Sequence, residues 1–288
     1  MEVLQTDSWQ EALELKATHP DAVPIAGGTD LMVDLNFGRF RPATMLDLTR
    51  IPELTAWGPE NGRLRVGAGV SYTRLIAELG DRLPGLAVAS RTVGSPQIRN
   101  RGTVGGNLGT ASPAGDALPP LFASDAEVEL ASLAGVRRIP VGEFLTGPKR
   151  NCLAEDELIA AFHLAPADGP QQFAKIGTRN AMVIAVCSLA LAIWPGRQGV
   201  AACIGSAGPT PIRCGEAERF IAGVLDEHDL WGRRTPIPDA ALTRFGELVE
   251  AAARPIDDVR GTARYRHHAL GVLARRTLTW AWEAHRCA

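Results

Sequence analysis

At 288 residues the chain is long enough for about two domains, and 45% hydrophobic with 22% charged residues is the composition of a folded globular protein. A balance of 30 basic against 32 acidic residues, net charge −2, is no footprint for nucleic acid, which calls for a basic face. No run approaches ~18 consecutive apolar residues, so no membrane span is expected. The N-terminal MEVLQTDSWQEALELKATHP lacks the basic-then-apolar order of a secretory signal, which makes the cytoplasm the expected compartment.

In chain order, Ser8-Trp-Gln-Glu11 has the capping-box pattern and predicts a short helix that stops at His19-Pro20. Val23–Ile25 is a short apolar run leading into Ala26-Gly-Gly-Thr-Asp30, and Met45–Leu54 reads as a strand with a turn. Arg63–Val70 alternates polar and apolar residues as a half-buried strand does, and Ser71 can cap a helix over Tyr72–Leu79. Ala126–Ser132 and Arg137–Leu145 predict two strands joined by a glycine-containing turn, and Asp156–Leu164 another strand. Pro166–Gln172 is the best linker. Beyond it, Ala185–Trp194 and Gly199–Gly208 suit buried strands, although periodicity alone leaves helix open. The C-terminal fifth is helical. Leu242, Phe245, Leu248, Val249 and Ala252 form one stripe, and Leu270, Leu273, Ala274, Thr277, Leu278 and Ala281 another. The predicted class is α+β, with a larger N-terminal and a smaller C-terminal part.

Several residue types are set aside. The five cysteines, at 152, 187, 203, 214 and 287, form no C-x-x-C pair and read as scattered reduced thiols, not a disulfide framework or a metal site. His163, His267 and His268, and the six tryptophans, read mainly as packing or surface residues, with Trp280 and Trp282 as candidates to face a partner. Gly67-Ala-Gly69 follows a strand, but Tyr72 stands where the third glycine of G-x-G-x-x-G belongs, so a plain strand-to-helix turn is expected. No G-x-x-x-x-G-K-[ST] occurs.

Two glycine-rich segments remain: Ala26, Gly27, Gly28, Thr29 and Asp30, and Thr103-Val-Gly105-Gly106-Asn107 continuing through Thr110 and Ser112 to Asp116. Glycine admits positive φ and close approach of another group, and successive amides in such turns form a nest for anions. Thr29, Thr103, Thr110 and Ser112 add hydroxyls. Together the segments could hold the two phosphates of a dinucleotide. The plainer alternative is a pair of tight turns after strands.

With those residues in view, PIAGGTDLMVDL, QIRNRGTVGGNLGTASPAGDALPPLFASDAEVEL and FAKIGTRNAMVIAVCSLAL resemble the FAD-binding medium subunit of molybdenum hydroxylases, the group of xanthine and carbon monoxide dehydrogenases and 4-hydroxybenzoyl-CoA reductases. Asp257–Leu278 is similar to the family's closing helix, and the wording is nearest to bacterial xanthine dehydrogenase-type subunits. The resemblance implies an α+β FAD-binding fold of the vanillyl-alcohol oxidase type. It implies a domain over 1–168 (subdomains near 1–58 and 59–168) and a C-terminal domain over 169–288. The cofactor would be FAD, its pyrophosphate against the two glycine segments. Thr110, Ser112 and Asp116 would lie at the sugar–phosphate or ribityl region, Ile159 against the ring system, and Lys175 near its pyrimidine edge, where a cation favours the reduced anion.

The family's aromatic residue before the second segment aligns with Val93, which leaves stacking on that face in doubt, and the cysteine-rich insert of some relatives is absent. Implied partners are an iron–sulfur small subunit with [2Fe–2S] clusters, a molybdopterin large subunit and NAD or another electron acceptor, in a dimer of heterotrimers. No catalytic residue and no metal ligand is assigned to this chain. A self-sufficient flavin reductase or oxidase, and a non-enzymatic assembly module, are the alternatives.

Overall fold

The computed structural model describes residues 1–288, whose contacts group into two units. The first comprises Met1–Ala77, Gly94–Ser112 and Asp125–Ala165; the second comprises Glu78–Val93, Pro113–Ser124 and Pro166–Ala288.

The first unit holds two main sheets. In the smaller, β1 (Glu2–Gln5) and β2 (Val23–Ile25) flank β3 (Thr44–Asp47), all parallel. The connection from β1 to β2 is the helix Trp9–Thr18, whose Ala12 and Leu13 pack with Leu46, Leu48 and Ile51. Ser8 caps it as expected, accepting from Glu11 N at 3.3 Å, but the Glu11 carboxylate accepts from Thr6 Oγ1 at 2.5 Å and so completes a different local pair. Lys16 lies along the core with its ammonium donating to the Pro20 and Ala22 carbonyls.

The larger sheet is antiparallel, in the order β4 (Trp57–Glu60), β5 (Arg63–Gly67), β10 (Leu158–Leu164), β6 (Glu127–Ser132), β7 (Gly135–Pro140). The hairpins β4–β5 and β6–β7 are local; β10, which begins 18 residues after β7 ends, enters between them and makes one sheet of the two. A small hairpin, β8 (Leu145–Gly147) with β9 (Arg150–Asn151), precedes it. On β6, Glu129 is buried, and its carboxylate accepts from Arg65 Nη2 at 2.7 Å and Arg138 Nη2 at 3.2 Å, with His163 Nε2 at 2.6 Å. Burial pushes the Glu129 carboxyl up, but the bonds from His163 and Arg65 outweigh it and bring it down to about 2.

The second unit is built on β11 (Gln171–Ile176), β12 (Cys187–Trp194), β13 (Gly199–Gly205) and β14 (Ile212–Arg213), antiparallel in that order. Every residue of β12 is buried because both faces are covered. Cys187, Leu189, Leu191 and Ile193 join the core with the helices Gly215–Glu227, Asp239–Ala252 and Ala263–Arg286. On the other face, Trp194 Nε1 donates to the carbonyl of Ala123 at the end of the helix Leu118–Ala123. This two-sided cover is why the run reads as continuously apolar.

The two C-terminal helices bury the expected stripes, although Leu242, Leu248 and Ala252 are only partly covered. Their crossing is close: a Cβ on Gly246 would lie 2.8 Å from the Gly271 carbonyl oxygen. The pairing of Trp280 with Trp282 as partner-facing residues is corrected. Trp282 is 1% exposed, donates to Thr235 O at 2.8 Å and meets Trp231 edge-on, because the helical rotation between the two positions turns one inward. No helix is long and apolar enough to cross a membrane.

Two predictions follow from this packing. The folded-state carboxyl of Glu129 lies below its ordinary 4.5, so its stabilisation is complete above 4.5 and is lost as pH falls toward about 2. Glu129→Gln should cost about 3 kcal/mol at pH 7 and flatten that acid-range loss in urea titrations; an unchanged pH profile would remove Glu129 from the account. Burial also pushes the thiols of Cys187 and Cys214 up to about 12 and raises that of Cys203 well above its ordinary value. A thiol reagent at pH 8 should therefore modify only Cys152 and Cys287 in the folded chain, and all five after denaturation, as read by peptide mass.

Candidate functional site

The first glycine segment leaves β2 and runs into the helix Leu31–Asn36. Gly28 has φ +72°, a conformation that glycine adopts without strain. Gly27 is required for a different reason: a Cβ there would overlap the backbone carbonyl of Arg101 and lie 2.9 Å from Gly102 Cα. The two glycine segments therefore abut, backbone to backbone, within one unit.

The second segment is not a turn after a strand. The helix Pro96–Arg101 ends at Gly102, whose N–H returns to Ile98 O at 2.6 Å. Thr103 bridges to Ser71 and caps a new helix, Val104–Thr110, by accepting from Gly106 N at 2.8 Å. This is a correction to the turn reading: three glycines in seven residues disfavour helix intrinsically, yet the cap and the packing of Val104 and Leu108 impose it. Gly105 is needed because its Cβ would overlap Ala68 in the Gly67–Gly69 turn. That turn is the strand-to-helix connection expected, with Gly69 N donating to Leu54 O and Ser71 capping at Arg74 N.

Gly106 is different from its neighbours. It is exposed, and a Cβ there would meet only its own cap, Thr103 Oγ1 at 3.1 Å. Beside it, Asn107 Oδ1 is buried and has no hydrogen-bond partner. Thr110 Oγ1 donates to Asp30 Oδ2 at 3.1 Å, which ties the end of the second segment to the end of the first. Ala26 and Thr29 are half-buried along the first segment, and Ser112 lies half-buried just past the Ala111 left-handed cap. Ile159, on β10 next to a bulge, lies opposite Gly109, where a Cβ would stand 3.6 Å from its Cδ1. Asn151, which the sequence did not single out, donates from Nδ2 to Gly109 O at 2.9 Å.

Asp116 and Lys175 meet in the second unit. Both side chains are 8% exposed, and Lys175 Nζ stands 2.5 Å from Asp116 Oδ2. The ammonium also donates to Thr92 O and Val183 O, each at 3.0 Å. Lys175 is thus no surface lysine. Thr92 Oγ1 lies 3.0 Å from Asp116 Oδ2. Burial pushes the Asp116 carboxyl up; Lys175 and Thr92 pull it back, and the net direction remains upward. Asp116 Oδ1 is buried with no hydrogen-bond partner. Thr92 and Val183 carry no signal in the sequence, since a backbone carbonyl is identified as a partner only by the fold. Val93, next to Thr92, is half-buried and returns its N–H to Ser90 O.

Each unit, taken by itself, presents polar groups without a partner. One unit offers an uncovered glycine backbone for anionic oxygens and an orphaned amide oxygen. The other offers an orphaned carboxylate oxygen that needs a hydroxyl or N–H donor.

The family described as the FAD binding domain in molybdopterin dehydrogenase matches residues 1–166, and that of the CO dehydrogenase flavoprotein C-terminal domain matches residues 172–281. A xanthine dehydrogenase FAD-binding subunit of Escherichia coli O157:H7 is 30% identical over 281 residues, covering 94% of this chain and 92% of that protein. A caffeine dehydrogenase subunit beta of Pseudomonas sp. (strain CBB1) is 34% identical over 241 residues, covering 79% and 80%. Among solved structures, a carbon monoxide dehydrogenase from Hydrogenophaga pseudoflava lacking the Mo-pyranopterin moiety of its cofactor has a TM-score of 0.87 at 27% identity, covering 100% of this chain and 98% of that one. With its α+β FAD-binding fold, the chain belongs to the FAD-binding medium subunits of the molybdenum hydroxylase family and is an FAD-dependent oxidoreductase subunit.

Proposed function

We propose that this chain is the electron-transferring flavin subunit of a cytoplasmic molybdenum hydroxylase. It serves as the junction between the [2Fe–2S] clusters of a small subunit, fed from a molybdopterin large subunit, and NAD or another acceptor. A dimer of heterotrimers is the assembly we infer, with an FAD domain over 1–168 and a C-terminal domain over 169–288. The relatives' names include xanthine, caffeine and carbon monoxide dehydrogenases. A purine such as xanthine is the substrate class we favour, on the resemblance to the xanthine subunits, with the hydroxylation site on the large subunit.

When bound, FAD supplies a redox centre that takes electrons singly and releases them in pairs. The observation that carries the reading is the abutting of Gly27 on the Arg101–Gly102 backbone with Gly106 left uncovered. In this reading the backbone of Ala26–Thr29 and Thr103–Gly106 faces the pyrophosphate, whose charge meets oriented amides. Asp30 and Thr110 hold the two segments together. The free amide oxygen of Asn107, the hydroxyl of Ser112 and the carboxylate of Asp116 take the sugar and ribityl hydroxyls. Ile159 gives an apolar contact to the ring. Lys175 supplies positive charge toward the ring's pyrimidine edge and thereby favours the reduced anion.

The two glycines separate cofactor from fold. Gly106→Val meets only the Thr103 hydroxyl, which must give slightly, so it should change the thermal midpoint of the flavin-free chain little and abolish FAD retention. Gly27→Ala drives a methyl into backbone and should cost about 2 kcal/mol or more in the flavin-free chain itself. Stoichiometric FAD on Gly106→Val would overturn the pyrophosphate assignment. A visible spectrum of the protein from its native cells, with its co-purifying chains identified, tests the rest. Flavin together with a cysteine-rich chain and a large chain is expected; flavin on a lone chain with its own turnover would overturn the electron-transfer reading.

A further inference from the structure

We propose that Thr92 is a positioning residue for the cofactor: its hydroxyl and its carbonyl hold Asp116 and Lys175 as one unit, leaving Asp116 Oδ1 as the polar atom that meets FAD. This rests on the FAD reading above.

The protons on Lys175 Nζ limit what it can offer a ligand. Lys175 Nζ carries three, and three protein acceptors surround it: Asp116 Oδ2, Thr92 O and Val183 O. No N–H of Lys175 is left to donate to a ligand, so it acts on one through charge and through Asp116. Of the Asp116 oxygens, Oδ2 accepts from Lys175 and Thr92, while Oδ1 is buried with none. A buried carboxylate oxygen without a donor is costly, and an ionised carboxylate accepts only. The complementary groups on a flavin dinucleotide are its hydroxyls and its ring N–H, never its phosphates.

Thr92 helps fix the direction in which the open oxygen points. The residue ends the helix Pro84–Arg91, and its carbonyl, at the negative end of that helix, receives the ammonium. Its single hydroxyl proton faces two acceptors, Ala89 O at 2.7 Å and Asp116 Oδ2 at 3.0 Å. An ionised carboxylate is the stronger acceptor, so the bond to Asp116 holds when that group is charged. The main chain beneath Asp116 is fixed separately, by Ser206 N donating to Pro113 O at 2.9 Å. What the Thr92 hydroxyl adds to the Lys175 bond is a second fixed donor on the same oxygen, which sets the plane of the carboxylate and so the direction in which the open oxygen points.

The test uses the full chain in the assembly with which it purifies, stripped of flavin and reloaded with FAD. Thr92→Val keeps the shape and the carbonyl and removes only the hydroxyl; Thr92→Ser restores the hydroxyl; Thr92→Ala serves if the valine variant does not fold. The expected result is FAD bound about tenfold more weakly in Thr92→Val, the loss of one charge-assisted hydrogen bond, with a shifted flavin midpoint potential, and both restored in Thr92→Ser. Wild-type affinity and potential in Thr92→Val would overturn the assignment, as would a lowered thermal midpoint with both unchanged. A wild-type assembly that takes up no FAD would overturn the parent reading, and Thr92 with it.

Discussion

Where Gly27 meets the Arg101–Gly102 backbone, two segments more than 70 residues apart come closer than any side chain would allow. Everything near the candidate cofactor site in the first unit is arranged around that approach. Gly102 ends one helix, Thr103 begins the next, and Gly105 sets the new helix against the Gly67–Gly69 turn. Glycine is used here for proximity more than for unusual torsions, since only Gly28 of these has positive φ. The same economy of bulk leaves Gly106 uncovered, and a backbone without side chains is what a pyrophosphate can approach.

Buried charge is handled differently in the two units. In the first, Glu129 is met by Arg65, His163 and Arg138 from three other strands of the sheet, and the carboxyl is held far below its ordinary range. That cluster fastens β10 between β5 and β6, and both oxygens of the Glu129 carboxylate are paired in it. In the second, Asp116 and Lys175 pair at 2.5 Å, yet burial keeps the carboxyl above its ordinary range and one oxygen stays without a donor. The first carboxylate has both oxygens paired; the second has one left open. An incomplete buried pair is tolerated where a ligand finishes it.

Thiols and tryptophans fall on the structural side of this division. Cys187, Cys203 and Cys214 belong to the core of the second unit, where burial keeps them protonated and inert. Trp282, with Trp231 and His285 packed against it, closes the end of the long C-terminal helix.

Local signals carried far. The caps at Ser8 and Ser71, the alternation in Arg63–Val70, the apolar runs of β12 and β13 and the stripes of the last two helices are contacts between residues about four apart or fewer, and the sequence alone determines them. The glycine segments, too, are legible as places where something must come close. What comes close is not legible. The insertion of β10, the helix over Val104–Thr110 in place of a turn, and the gathering of Thr92, Asp116, Lys175 and Val183 all depend on partners distant in the chain, and two of the Lys175 acceptors are carbonyls that every residue carries. Residue type states what a side chain can do over a few ångströms. Only the tertiary structure decides which groups stand within those ångströms, because pairing across long loops is selected by the packing of the whole core and not by the residues that pair.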